Sequence, residues 1–230
     1  MRRSLVIPAA ALLTSLAVAG CAPAASSEIP AAPSGAAAGV PSQGGAQPST
    51  EPAGPVVPGK ALLQPGDLDG ATPEKADATF WSYLLPPNAC DKPHASDRLR
   101  LAAATRQALY ADAGAVRPTV VVNHVARYEP GTASRVLAEI KDSVRRCPGT
   151  SAGGERRWTV TRTGDKMVML KIDSDIVYGA PVKHAAYVGV AVVGDGIVVV
   201  ADAGFEASSG NQKLVDRLLP VAAERAEAMN

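Results

Sequence analysis

Aromatic residues are scarce in this chain, at nine of 230 residues. That scarcity argues against a base-stacking surface for nucleic acid. Charge argues the same way: 23 Lys and Arg stand against 22 Asp and Glu, which leaves no basic footprint for nucleic acid or anionic lipid. Cysteine is limited to Cys21, Cys90 and Cys147, with no C-x-x-C spacing for a redox or metal site. Histidine is limited to His94, His124 and His184, none paired at ligand spacing. Neither a metal nor a cofactor is expected. Beyond residue 20 no apolar run approaches the ~20 residues a membrane span requires, and no internal repeat is present.

What the chain does have begins at its start. Arg2 and Arg3 precede an apolar run from Leu5 to Ala19, and small residues lead into a cysteine: Leu16-Ala17-Val18-Ala19-Gly20-Cys21. A charged start, an apolar middle and small residues before a cut site make a secretory signal. The cysteine directly after them resembles a bacterial lipobox, in which Cys21 is acylated and becomes the first mature residue. A plain membrane span would need a longer run, and ordinary cleavage would leave the cysteine unexplained. Residues 1–20 are therefore read as a lipoprotein signal peptide, with the mature protein held to the cell membrane on its extracytoplasmic side. Without residues 1–20 the chain carries 21 basic and 22 acidic residues.

In an oxidising compartment the remaining pair, Cys90 and Cys147, is expected to form one disulfide. In the chain-entropy picture a bridge of that span contributes roughly 4 kcal/mol.

Residues 21–60 are dominated by Ala, Pro, Gly and Ser, with Glu28, Glu51 and Lys60 the only charges. Such a stretch buries too little apolar surface to offset its ordering entropy, so it reads as a disordered tether. Its relaxed reach is about 35 Å and its extended limit about 130 Å. Residues 61–230 are then one domain, large enough to bury about 70% of its unfolded surface.

Within that domain Thr72-Pro73-Glu74 predicts a helix start, with Ala76, Phe80, Trp81 and Leu84 on one face and Pro86-Pro87 as the stop. Residues 99–112 suit a helix by alanine content and a strand by their flanks. Thr119–Tyr128 is β-branched and roughly alternating, a strand. Ala133, Val136, Leu137, Ile140, Val144 and Cys147 recur at helical spacing, and Pro148-Gly149 ends that helix. Two hairpins follow, 158–162 with 166–172 and 184–193 with 197–203, the second turning on Gly194-Asp195-Gly196. A last helix starts near Gln212 with Leu214, Leu218, Ala222 and Ala226 on its apolar face, and Pro220 should kink or split it. The sum is an α+β fold: a mainly antiparallel sheet with helices packed on one face, a single domain behind a disordered tether.

Several of these marks form a pattern. They are Ala61-Leu62-Leu63-Gln64-Pro65-Gly66-Asp67-Leu68, then a cysteine, then Val125-Ala126-Arg127-Tyr128-Glu129-Pro130-Gly131-Thr132-Ala133. Arg146-Cys147-Pro148 and the Val192–Val200 hairpin follow. Over about 61–230 this resembles the actinobacterial sensor-domain lipoproteins, which are similar to the extracellular domain of PknH-type Ser/Thr kinases. The resemblance implies a binding or sensing domain with a cleft over an antiparallel sheet. The kinase domain is usually drawn with two disulfides and this chain has cysteines for one, so cleft details do not transfer.

Catalytic patterns are weak. Gly149-Thr150-Ser151-Ala152-Gly153 matches G-x-S-x-G, but a nucleophile elbow needs a strand before the serine and a helix after it, and here the order is reversed. Lys171, Asp173, Asp175 and Tyr178 read as a solvated turn, without the glycine and distal glutamate of a calcium loop. His124, between valines on a strand, reads as a partly buried structural imidazole. The expectation is a protein that is not an enzyme and has no catalytic residue. Its partners are the membrane, through the N-terminal lipid, and an unknown small ligand or envelope protein, on the sheet face not covered by the helix at 133–147. The alternatives are a carrier of an amphiphilic envelope lipid, which calls for a hollow apolar cavity, and a secreted hydrolase using Ser151.

Overall fold

The computed structural model describes residues 54–111, 117–149, 156–178 and 180–229. The signal segment, Cys21, most of the tether and Ser151 lie outside the described residues.

Seven strands form one antiparallel sheet in the order β1-β2-β3-β7-β6-β5-β4. They are β1 (Glu74–Lys75), β2 (Arg100–Tyr110), β3 (Thr119–Tyr128), β4 (Arg156–Gly164), β5 (Met167–Tyr178), β6 (Ala180–Val193) and β7 (Gly196–Asp202), with helices α1 (Ala133–Arg146) and α2 (Gln212–Ala226). The chain lays down β1 to β3, crosses the sheet through α1 to the far edge, and meanders back until β7 closes against β3. The α+β class and the antiparallel sheet expected from sequence are both present.

The helices, however, take opposite faces. Val122, Ala126, Ile197, Val199, Val188 and Val190 point to a core capped by α1. The alternate residues Val121, Val125, Val198 and Val200 point to a second core, capped by α2 and by Leu62, Leu63 and Leu68. The expectation of helices on one face is therefore corrected. The central strand β7 is buried at every position, as a strand covered on both faces must be. A sheet apolar on both faces needs a cover on each.

The α1 stripe is as expected, with Ala133, Val136, Leu137, Ile140 and Val144 buried. Its start is set by Gly131 at φ +74°, a conformation glycine adopts without a Cβ clash. The Gly131 N–H donates to Asp195 Oδ1 at 2.8 Å, and the Tyr128 N–H donates to the Asp195 carbonyl, so the β6–β7 turn clamps the strand-to-helix corner. The disulfide Cys90–Cys147, with Cα atoms 5.3 Å apart, ties the end of α1 to the loop before β2. Helix α2 is capped by Asn211, whose Oδ1 accepts from the Lys213 N–H. It runs unbroken through Pro220. That proline is exposed, so the carbonyl it leaves without a helical donor lies on the solvent side.

Two further expectations change. Residues 73–84 form no helix: Glu74 and Lys75 pair with Gln107 and Arg106 of β2, and Asp77 Oδ1 accepts from the Thr79 N–H at 2.8 Å, turning the chain. Phe80, expected on a buried face, is 67% exposed. Residues 171–178 are not a turn but the second half of β5, where Lys171 pairs with Asp173 and Lys183 with Asp175. Packing also begins ahead of residue 61, with Val57 against the second core and a 3-10 turn at Gly59–Ala61.

Candidate functional site

With α1 on one face and α2 on the other, the sheet face expected to bind a ligand is covered. The opening lies instead at the sheet margin. Strand β1 is two residues long and reaches only Arg106 and Gln107. Among the described residues β2 from Arg100 to Ala104 therefore has a partner strand on one side alone. Across that unpaired stretch the 73–85 segment and the 57–62 segment stand apart, leaving a cleft of about 830 Å³. That volume suits a small organic ligand.

The cleft takes its floor from β2 and β3. Ala103, Ala104, Thr105 and Arg106 come from β2, and His124 from β3, where it pairs with Thr105. Ala76, Ala78 and Leu85 form one wall and Leu62 the other, with Lys75 and Arg100 at the sides. His124 is buried, at 2% exposure. Its Nδ1 lies 2.8 Å from Thr105 Oγ1, while its Nε2 is buried with no hydrogen-bond partner among the described residues. Desolvation, aided by the Arg100 charge, lowers its pKa to about 3, so the ring is neutral at ordinary pH. A buried polar atom without a partner is costly and calls for an explanation.

The other predicted positions do not converge on this cleft. His94 Nε2 is 2.9 Å from the Pro87 carbonyl, a structural bond beside the disulfide loop. His184 lies on β6, two strands away from β3. No three metal-ligating side chains gather among the described residues. A smaller hollow of about 400 Å³ lies near Phe80, Trp81, Tyr83 and Phe205, where the Arg156 guanidinium sits 4.1 Å over the Tyr83 ring.

Lys75, Arg100, Arg106 and Thr105 were invisible as site residues in the sequence. Both segments that carry them were misread or ambiguous there: 73–84 as a helix, 99–112 as either element. The usable signal was the polar pair Thr105-Arg106 interrupting an alanine run, which marks a strand with two half-open faces. No protein-family model matches the chain, and neither a curated protein nor a solved structure matches it.

Proposed function

We propose that the chain is a membrane-anchored extracytoplasmic lipoprotein, acylated at Cys21, whose single domain binds a ligand without transforming it. The observation that carries this reading is the cleft at the open margin of β2, floored by a buried imidazole with an unanswered nitrogen. Its size favours a small ligand over an envelope protein. The lipobox, the tether and the resemblance to sensor-domain lipoproteins support the same reading.

Thr105 and His124 are spaced like a nucleophile and its base, but the chemistry is wrong for catalysis. A general base works best with a pKa near the operating pH, and that of His124 is about 3. Among the described residues no carboxylate bonds its second nitrogen to orient it. The carrier alternative calls for an enclosed apolar hollow; both faces of this sheet are filled by packed helices, which favours the sensor-like reading.

Native mass spectrometry on protein extracted gently from its membrane tests the proposal. A non-covalent small molecule is expected on the native chain and is expected to vanish in Ala103→Trp, which plugs the cleft from an exposed edge position. An adduct that survives the plug, or none on either protein, overturns it.

A further inference from the structure

The charge lining the cleft is of one sign. Lys75, Arg100 and Arg106 border it, and no carboxylate among the described residues does. In a chain whose charges nearly cancel, that local excess is a property of the site. Among the described residues Lys75 and Arg106 have no ion-pair or side-chain hydrogen-bond partner. Arg100 is engaged on its other side: it lies 4.0 Å from the Asp97 carboxylate and 3.5 Å from the Leu85 carbonyl, and beside the Tyr128 hydroxyl. The Arg106 guanidinium lies close over Gly59, where a Cβ would stand 3.1 Å from its Nη2. The missing side chain at Gly59 therefore leaves room for the guanidinium to lie at the cleft. Two cations without a counter-charge among the described residues, Lys75 and Arg106, with Arg100 beside them around one hollow, are the recognition chemistry of an oxyanion.

Between these cations the surface is apolar and low in relief. Ala76, Ala78, Ala103 and Ala104 supply methyl groups, and Leu62 and Leu85 close the two sides. A free inorganic anion would leave those walls wet. A ligand with an apolar arm would cover them, and each methylene it buries would add to binding.

Resting on the ligand-binding reading above, we propose that the cleft binds an amphiphilic anion, a carboxylate or phosphate monoester on an apolar chain. Lys75, Arg100 and Arg106 border the cleft and meet the head group, and the alanine walls hold the chain.

The test is calorimetric titration of the full chain carrying Cys21→Ser, so that no covalent acyl group competes. Decanoate, decyl phosphate, decan-1-ol and inorganic phosphate are used below any micelle concentration. Decanoate or decyl phosphate should bind at least about tenfold tighter than decan-1-ol, the scale of a charge-assisted contact, and the preferred one identifies the head group. The double variant Lys75→Gln/Arg106→Gln should weaken the anions by about tenfold or more while leaving decan-1-ol unchanged. Added salt should weaken the anions alone.

Equal binding of decan-1-ol and the anions, displaced by Ala103→Trp, would overturn the anion inference and leave the ligand-binding reading standing. Inorganic phosphate binding as tightly as decyl phosphate would overturn the amphiphile and identify a free oxyanion. No binding by any of the four would overturn the inference. The native-mass experiment with Ala103→Trp then decides the ligand-binding reading by itself.

Discussion

His124 sits where histidine is least comfortable, buried on a central strand with one nitrogen bonded and the other bare. That placement links stability to pH. In the unfolded chain the imidazole titrates near 6.5; in the fold its pKa is about 3. Between those values the unfolded state binds the extra proton, so stability rises with pH through the window. It is complete above about 6.5 and is lost progressively on acidification, by on the order of 5 kcal/mol in total. The urea midpoint of the native chain should fall steadily from pH 6.5 to 4.5. In His124→Gln, which has no proton to gain, that slope should flatten. The titrated range, pH 6.5 to 4.5, stays above that of Asp67: burial raises its carboxyl, but the paired Arg225 and the Gln64 N–H outweigh that and hold it below its usual value. Asn123, next along the strand, shows how far residue-level reading reaches. An amide in a valine run is out of place in a strand, which marks the position. Its two partners are the Leu63 N–H and the Val199 carbonyl, 60 and 76 residues away, and only the fold brings them together.

At the scale of elements, periodicity found what periodicity governs. The α1 stripe, the α2 stripe, β3 and both hairpins were legible because each buries one continuous surface. The 73–85 segment was not, because its shape is set by side-chain contacts rather than by a repeat. Trp81 Nε1 donates to Gln107 Oε1 at 2.7 Å, and Gln107 Nε2 donates to Glu74, which pins the segment along the edge of β2. The side of the sheet that α2 covers was equally hidden, since an apolar stripe does not say which face it meets. Gly189 on β6 is the contact that seats α2. A Cβ there would lie 2.9 Å from Leu219 Cδ2, 3.0 Å from Met169 Sδ and 3.0 Å from Val215 Cγ1. Gly189→Val should therefore overpack that interface and cost about 1–3 kcal/mol. A thermal melt should show a fall of several degrees, while Gly66→Ala, which meets nothing within 4 Å, should melt as the native chain does.

For the molecule as a whole, the proposed attachment to the membrane is separable from the fold. Among the described residues no helix is long and apolar enough to cross a bilayer, and charge near balance supplies no electrostatic adhesion. In that proposal attachment rests on acyl chains at Cys21, where two or more give stable anchoring and one only marginal binding. Cys21→Ser should move the protein from the membrane fraction to the soluble fraction with its melting temperature unchanged. A variant that still sediments with membranes would refute acylation as the anchor.

The open stretch of β2 has one more consequence. An unpaired strand margin is a template on which a second chain can add, and this sheet has two such margins. One carries Lys75, Arg100 and Arg106 beside Glu74; the other, β4, carries Arg156, Arg157 and Arg162, the last paired with Asp216. Copies meeting margin to margin bring an excess of like charge together in every combination. Mutual repulsion thus discourages neighbouring domains from stitching themselves into a continuous ribbon.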